Sequence, residues 1–132
     1  GKVMEETHFA SGNVRKREAV VPLLQYSTQN LADIAWSCAN RGLAHRPLFD
    51  ALAARAVATM PGFSKTSVVD LAWSFAALGL YNQALFAAIE ARALEQLGDF
   101  GPAYLAELLW SLVTAGHAPS ADFKARALAV VR

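Results

Sequence analysis

The chain has 132 residues, of which 55% are hydrophobic and 17% are charged, and its formal net charge is +1 at pH 7. A chain of this length fits one domain and can bury a real core. Its single cysteine, Cys38, excludes an internal disulfide. So few charges on so apolar a chain suggest that other molecules cover part of its surface.

Three tryptophans, Trp36, Trp73 and Trp110, recur at a fixed interval of 37 residues. Positions that keep the same step include Gly42, Gly79 and Gly116, the serines 37, 74 and 111, and the phenylalanines 49, 86 and 123. A unit of this length that is copied in tandem is typical of stacked helical arrays. We therefore predict an all-α fold, an α-solenoid of helix-turn-helix repeats with a 37-residue period.

Residues 1–29 are predicted to form an N-terminal segment that includes a degenerate half-repeat, since Tyr26, Phe63 and Phe100 are separated by the same interval as the tryptophans. This segment also holds the basic cluster Arg15-Lys16-Arg17. Such a cluster is either a solvated tail or a contact for phosphate.

Residues 30–132 are predicted to hold three helical-hairpin repeats, at about 27–63, 64–100 and 101–132. We expect each repeat to have a helix A (28–40, 65–78 and 102–115) followed by a helix B (46–59, 82–97 and 119–131). Ser27, Ser64 and Gly101 stand where N-caps are needed, and Gly42, Gly79 and Gly116 stand where helix A must end. The second repeat contains a charge-free run, 71–89, as long as a membrane span, but Gly79 divides it into two short helices. We expect no membrane span.

The third repeat runs to Arg132 without the polar capping repeat that normally ends a solenoid. We therefore expect a fragment, a processed chain or a subunit whose ends are covered.

On each helix A we predict one narrow polar stripe between two apolar flanks. Stacking would align these stripes across the array into one ladder, which is either a contact surface for a partner or merely a solvated face. Three arginines stand near it in sequence and are candidates to meet phosphates. The candidate contact residues are Asn30, Asp33, Ser37, Asn40, Ser67, Asp70, Ser74, Tyr104, Glu107 and Ser111, together with Arg41, Arg55 and Arg92. We expect the three tryptophans to fill gaps between repeats rather than to stack on a ligand.

Catalytic and metal-binding patterns are not recognisable in the sequence. We find no glycine-rich phosphate loop, no nucleophile elbow and no paired carboxylates apart from the repeated acidic position. His8, His45 and His117 have no partner at metal-ligand spacing, and Cys38 on an apolar helical face is expected to be buried and inert. We predict a protein that is not an enzyme and has no cofactor.

The segments 31–42, 69–79 and 105–116 each contain a Trp-Ser pair followed by glycine, as in Leu-Ala-Asp-Ile-Ala-Trp-Ser-Cys-Ala-Asn-Arg-Gly. They resemble the Leu-Ala-x-x-x-Trp core of octotricopeptide and heptatricopeptide repeats, which are related to the repeats of FAST-kinase-domain and RAP-domain proteins. This resemblance implies an α-solenoid that binds RNA in mitochondria or chloroplasts and acts in RNA metabolism or ribosome assembly.

Two functions remain open at this stage. The first is binding of single-stranded or ribosomal RNA, with the polar stripe reading base edges. The second is a protein-protein scaffold in a large organellar complex, such as a ribosome or a photosynthetic assembly. From residue 30 to 132 eight basic and eight acidic side chains cancel, which weakens attraction to phosphate.

Overall fold

The computed structural model describes residues 26–131, and all regular structure in that range is helical. The all-α prediction is confirmed there, whereas most of the predicted degenerate half-repeat and the basic cluster at 15–17 lie outside the described residues. The helices are α1 (Thr28–Asn40), α2 (Arg46–Ala58), α3 (Lys65–Ala77), α4 (Gln83–Glu95), α5 (Pro102–Ala115) and α6 (Ala121–Val131). Short 3-10 turns, Met60–Gly62 and Leu97–Asp99, follow α2 and α4.

The odd-numbered helices begin where the sequence places a cap. The Ser27 and Ser64 hydroxyls accept hydrogen bonds from the backbone N–H groups of Asn30 and Ser67, and both serines form capping boxes. Gly101 precedes α5, and Pro102 occupies its first turn, where a missing N–H does no harm. α6 begins later than expected because the Ser120 hydroxyl caps it by accepting from the Phe123 N–H.

The odd-numbered helices α1, α3 and α5 end before glycines whose backbone lies in the left-handed region. The φ angles of Gly42, Gly79 and Gly116 are 68°, 70° and 92°. A side chain at such an angle strains the backbone, which explains why the sequence repeats glycine there. The chain then reverses into the next helix, as predicted.

Two sets of helices build the fold. α1 packs beside α3 and α3 packs beside α5, and these three helices are called the A layer below. α2 packs against α4, and each even-numbered helix also contacts the odd-numbered helix before it. The A helices begin at equal intervals along the chain, so corresponding residues lie on neighbouring helices.

Aromatic side chains join successive hairpins in the core. Phe75 of α3 makes edge contacts with Phe49 of the preceding helix and with Phe86 of the following one, at centroid distances of 4.9 and 6.3 Å. Phe49, Phe86 and Phe123, which share one repeat position, are all buried. Such edge contacts add to the free energy gained by burying the rings.

Hydrogen bonds to the linkers also recur from hairpin to hairpin. The Thr28 hydroxyl donates to the Gly62 carbonyl at 3.0 Å, and the Lys65 ammonium donates to the Asp99 carbonyl at 2.8 Å. Each of these contacts joins the start of an A helix to the linker that precedes the next A helix. They therefore help to fix how neighbouring A helices lie side by side.

Candidate functional site

The surface of the A layer carries a different stripe from the predicted one. In α1 the residues Gln29, Asp33, Trp36 and Asn40 are exposed, and at about 100° per residue they share one face. In α5 the corresponding positions are again exposed, and in α3 they are half-buried except for the exposed Ala77. Relative to the predicted stripe, the solvent-facing side is rotated toward the tryptophans.

Trp36 and Trp110 do not fill gaps between repeats, and that expectation is wrong for these two. Trp36 is 48% exposed, Trp110 is 51% exposed and Trp73 is half-buried. Small residues such as Ala72 and Ser74 are buried on the middle A helix, which has an A helix on each side. The indoles are left at the surface of the layer.

The predicted contact residues Ser67, Ser74 and Ser111 are buried and cannot present a surface to a partner. The Ser74 and Ser111 hydroxyls donate to the backbone carbonyls of Asp70 and Glu107, one turn earlier, at 2.7 and 3.0 Å. A serine that bonds within its own helix can be buried without an unsatisfied polar group, and its small size lets neighbouring helices approach. Ser67 is likewise used in the capping box of α3.

Ser37, at the same repeat position as Ser74 and Ser111, is exposed. α3 and α5 each have an earlier A helix packed beside them, whereas α1 has none within the described range. This serine position therefore belongs to the contact between A helices, and Ser37 is solvent-facing because it lies on the first one.

The repeated acidic position gives the A layer a row of carboxylates. Asp33 and Glu107 are exposed, and Asp70 between them is half-buried. The pKa of Asp70 is raised by partial burial first, and then by the negative charges of Glu107 and Asp33. Asp70 is thus close enough to both Glu107 and Asp33 for their charges to repel its own.

This row lies beside the tryptophans, one turn away on each helix. We call the two rows together the acidic tryptophan ridge. It consists of Asp33, Trp36, Asp70, Trp73, Glu107 and Trp110.

The other predicted contact residues on the A layer are exposed at its two ends. The Asn40 amide donates to the Trp36 carbonyl at 2.8 Å, and Asn30 is used in the capping box of α1. The ring of Tyr104 is 37% exposed and lies 5.7 Å from the Lys65 ammonium, a cation–π distance. These residues remain accessible, and no described contact assigns them a ligand.

The three predicted arginines do not come together. Arg41 follows α1 and is exposed, whereas Arg55 and Arg92 are half-buried on the even-numbered helices α2 and α4. Arg92 donates through Nε to the Phe63 carbonyl at 3.0 Å and pairs with Glu95 at 3.1 Å. Arg92 is therefore committed to holding a linker, and the arginines form no basic patch beside the ridge.

Sequence reasoning missed a polar cluster that joins the last two hairpins. The Tyr81 hydroxyl lies 2.8 Å from His117 Nδ1, and His117 Nε2 lies 3.2 Å from Glu90 Oε1. The same carboxylate accepts from the backbone N–H of Ser120 at 3.3 Å. The cluster has no counterpart between the first two hairpins, where Ala44 and Leu80 stand at the equivalents of Tyr81 and His117, so periodicity gave no signal for it.

Cys38 is buried as expected, and burial raises the pKa of its thiol despite the opposing effect of Arg41. Within residues 26–131 no group of histidine, cysteine and acidic side chains is arranged to hold a metal ion. In the same range no helix combines the length and apolar character that crossing a bilayer requires.

A sequence model of the RESC6 family, RNA-editing substrate-binding complex 6 protein, matches residues 12–117. The match covers most of the chain, which therefore belongs to this family. No curated protein and no solved structure matches the chain.

This family match corrects the octotricopeptide, heptatricopeptide, FAST-kinase and RAP resemblance, which is wrong as a family assignment. The pattern of small residues and glycine reflects what closely packed helical hairpins require, and unrelated families can meet that requirement. The match also gives no support to a chloroplast, a photosynthetic complex or a ribosome.

Proposed function

We propose that this member of the RESC6 family is a non-enzymatic scaffold subunit of an RNA-editing substrate-binding complex. Its helical hairpins would stack as an α-solenoid of 37-residue units, with residues 1–29 as a separate N-terminal segment. The family supports a role in RNA metabolism within a multi-subunit complex. Of the two organelles expected from the sequence, we propose the mitochondrion, where complexes of this kind act.

The observation that carries the scaffold role is the composition of the acidic tryptophan ridge. Its exposed indoles are typical of protein interfaces, in which tryptophan is enriched. Its carboxylates would repel a phosphate backbone, which supplies most of the sequence-independent affinity for RNA. Of the candidate phosphate contacts, Arg55 and Arg92 lie on the even-numbered helices rather than on the A layer, and Arg41 follows α1.

Direct binding of single-stranded RNA is the second candidate. Exposed Trp36, Trp110 and Tyr104 could stack on bases, and exposed Asn30 and Asn40 could hydrogen-bond to base edges. Without a basic groove along the backbone, such binding would be weak and only slightly dependent on salt.

Affinity purification of the tagged chain, with and without ribonuclease treatment, tests the scaffold role. We expect the same protein subunits to co-purify in both samples, because protein contacts hold them. A titration of single-stranded RNA at about 50 and 200 mM salt tests the second candidate. Loss of every subunit after ribonuclease, together with tight and salt-sensitive RNA binding, would favour RNA as the primary partner.

A further inference from the structure

We propose that the acidic tryptophan ridge binds a lysine- or arginine-rich segment of another protein in extended conformation. This inference rests on the proposed scaffold role and names the surface and the chemistry of its partner.

The first step is the exposure of the indoles. Trp36 and Trp110 rank among the most exposed large hydrophobic side chains in the described range, and the half-buried Trp73 lies between them on the middle helix. Tryptophan usually buries most of its area in a folded protein, so a row of three at a surface is a place for a partner to cover.

The second step is the state of the three carboxylates. Asp33 accepts a hydrogen bond from the Gln29 amide at 2.9 Å, and none of the three acids takes part in an ion pair within residues 26–131. In that range Glu95 and Asp122 pair with arginines, and Glu90 contacts His117 instead. The ridge therefore carries negative charge that this part of the chain does not neutralise.

The third step is charge complementarity. A lysine or arginine side chain that lies over an indole face and reaches a carboxylate gains a cation–π contact and an ion pair together. The ridge offers this pair of groups three times, once on each A helix, since Asp33, Asp70 and Glu107 each stand three residues before a tryptophan. An RNA backbone, in contrast, would bring phosphate against the carboxylates.

The spacing of the three sites defines the segment. Packed helices lie about 8–10 Å apart. A chain in the extended polyproline II conformation covers that distance in about three residues at roughly 3.1 Å each, and every third side chain lies on the same face. A basic residue at every third position would therefore place one cation on each helix of the A layer.

The test uses the full 132-residue chain and a synthetic peptide of about nine residues with lysine at every third position, the rest being glycine and serine. All three tryptophans of the chain belong to the ridge, so intrinsic fluorescence reports binding there. The control peptide has glutamate in place of lysine. We expect the lysine peptide to change the fluorescence saturably and the glutamate peptide to leave it unchanged.

Two triple variants with the same change in net charge separate local from overall attraction. The ridge variant is Asp33→Asn, Asp70→Asn and Glu107→Gln. The control variant is Asp50→Asn, Asp99→Asn and Asp122→Asn, whose three positions are exposed and lie off the ridge. We expect the ridge variant to bind the lysine peptide at least about ten-fold more weakly, and the control variant to bind nearly as well as wild type.

The proposal is overturned if the lysine peptide does not bind wild type, or if both triple variants lose affinity equally. It is also overturned if single-stranded oligouridine binds wild type and displaces the peptide, since the ridge is then an RNA surface.

Co-purification by the ridge variant separates this inference from the scaffold role. If the ridge variant recruits every subunit that wild type recruits, the ridge is not the docking surface although the scaffold role holds. If the wild-type chain co-purifies with no other subunit, the scaffold role is contradicted. The peptide titration then still tests whether the ridge binds a basic segment.

Discussion

The Tyr81 hydroxyl lies 2.8 Å from His117 Nδ1, and the two rings are tilted against each other at a centroid distance of 5.9 Å. Tyr81 follows the turn at Gly79 and His117 follows the turn at Gly116, so this contact joins the ends of two neighbouring A helices. Glu90 holds the other nitrogen of His117 from α4. The cluster thereby ties the third hairpin to the second.

We expect Tyr81→Phe to lower the free energy of unfolding by about 1 kcal/mol, because His117 Nδ1 loses its hydrogen-bond partner. Urea unfolding followed by circular dichroism measures the effect. Tyr104→Phe is the matched control, since the Tyr104 hydroxyl makes no hydrogen bond within the described residues and its removal should leave the midpoint unchanged. Equal midpoints for Tyr81→Phe and wild type would mean that the cluster does not join the hairpins in solution.

Asp70→Asn should stabilise the chain at neutral pH. The pKa of Asp70 is raised in the folded state, so the folded protein holds the proton more tightly than the unfolded chain does. Above the folded pKa of Asp70, its ionised carboxylate lowers the free energy of unfolding. An uncharged asparagine at this position does not have that destabilising effect. Below about pH 3.9, the ordinary pKa of aspartate, the carboxyl is protonated in both states and the advantage should disappear.

Thermal unfolding of Asp70→Asn and wild type between pH 3 and pH 7 measures this difference. Asp50→Asn on α2 is the control for simple removal of an exposed charge. A melting temperature of Asp70→Asn below that of wild type at pH 7 would contradict mutual repulsion in the acidic row. A higher melting temperature of Asp70→Asn than of wild type at pH 7 would indicate that Asp70 lowers the stability of the chain, as residues of binding surfaces commonly do.

The helices and their ends could be predicted from the sequence, because their causes are local. Ser27 and Ser64 are in reach of the N–H groups that they cap, and the positive φ of Gly42 and Gly79 is a property of a single residue. Periodicity also showed that corresponding residues would align.

Periodicity could not show which side of each A helix faces solvent. That side is set by the neighbouring helices, and polarity was a misleading guide to it. Ser74 is polar yet buried, since its hydroxyl bonds within the helix, and Trp36 is apolar yet exposed. The small size of the side chain was the useful signal of a buried position, because a position that is serine in all three repeats permits close helix packing.

Gly79→Ala should destabilise the chain by about 1–2 kcal/mol, because an alanine at φ 70° is strained. A methyl group at Gly79 would meet nothing within 4 Å, so the loss isolates the cost of the backbone angle. Gly98→Ala is the control, since its added methyl group also meets nothing and its φ lies outside the left-handed region. If the two variants shift the urea midpoint equally, the turn at Gly79 does not adopt this conformation in solution.

Trp36→Ala should cost less than about 1 kcal/mol of unfolding free energy, because about half of the side chain is already exposed to water. Phe75→Ala should cost about 3–5 kcal/mol, because it empties a site between two buried rings. Urea midpoints of the two variants, measured by circular dichroism, test the contrast between the ridge and the core. A large loss for Trp36→Ala would mean that the indole packs between hairpins, and the surface proposed for a basic partner would then lose one of its three tryptophans. A small loss together with weaker binding of the lysine peptide is the result that separates a binding tryptophan from a structural one.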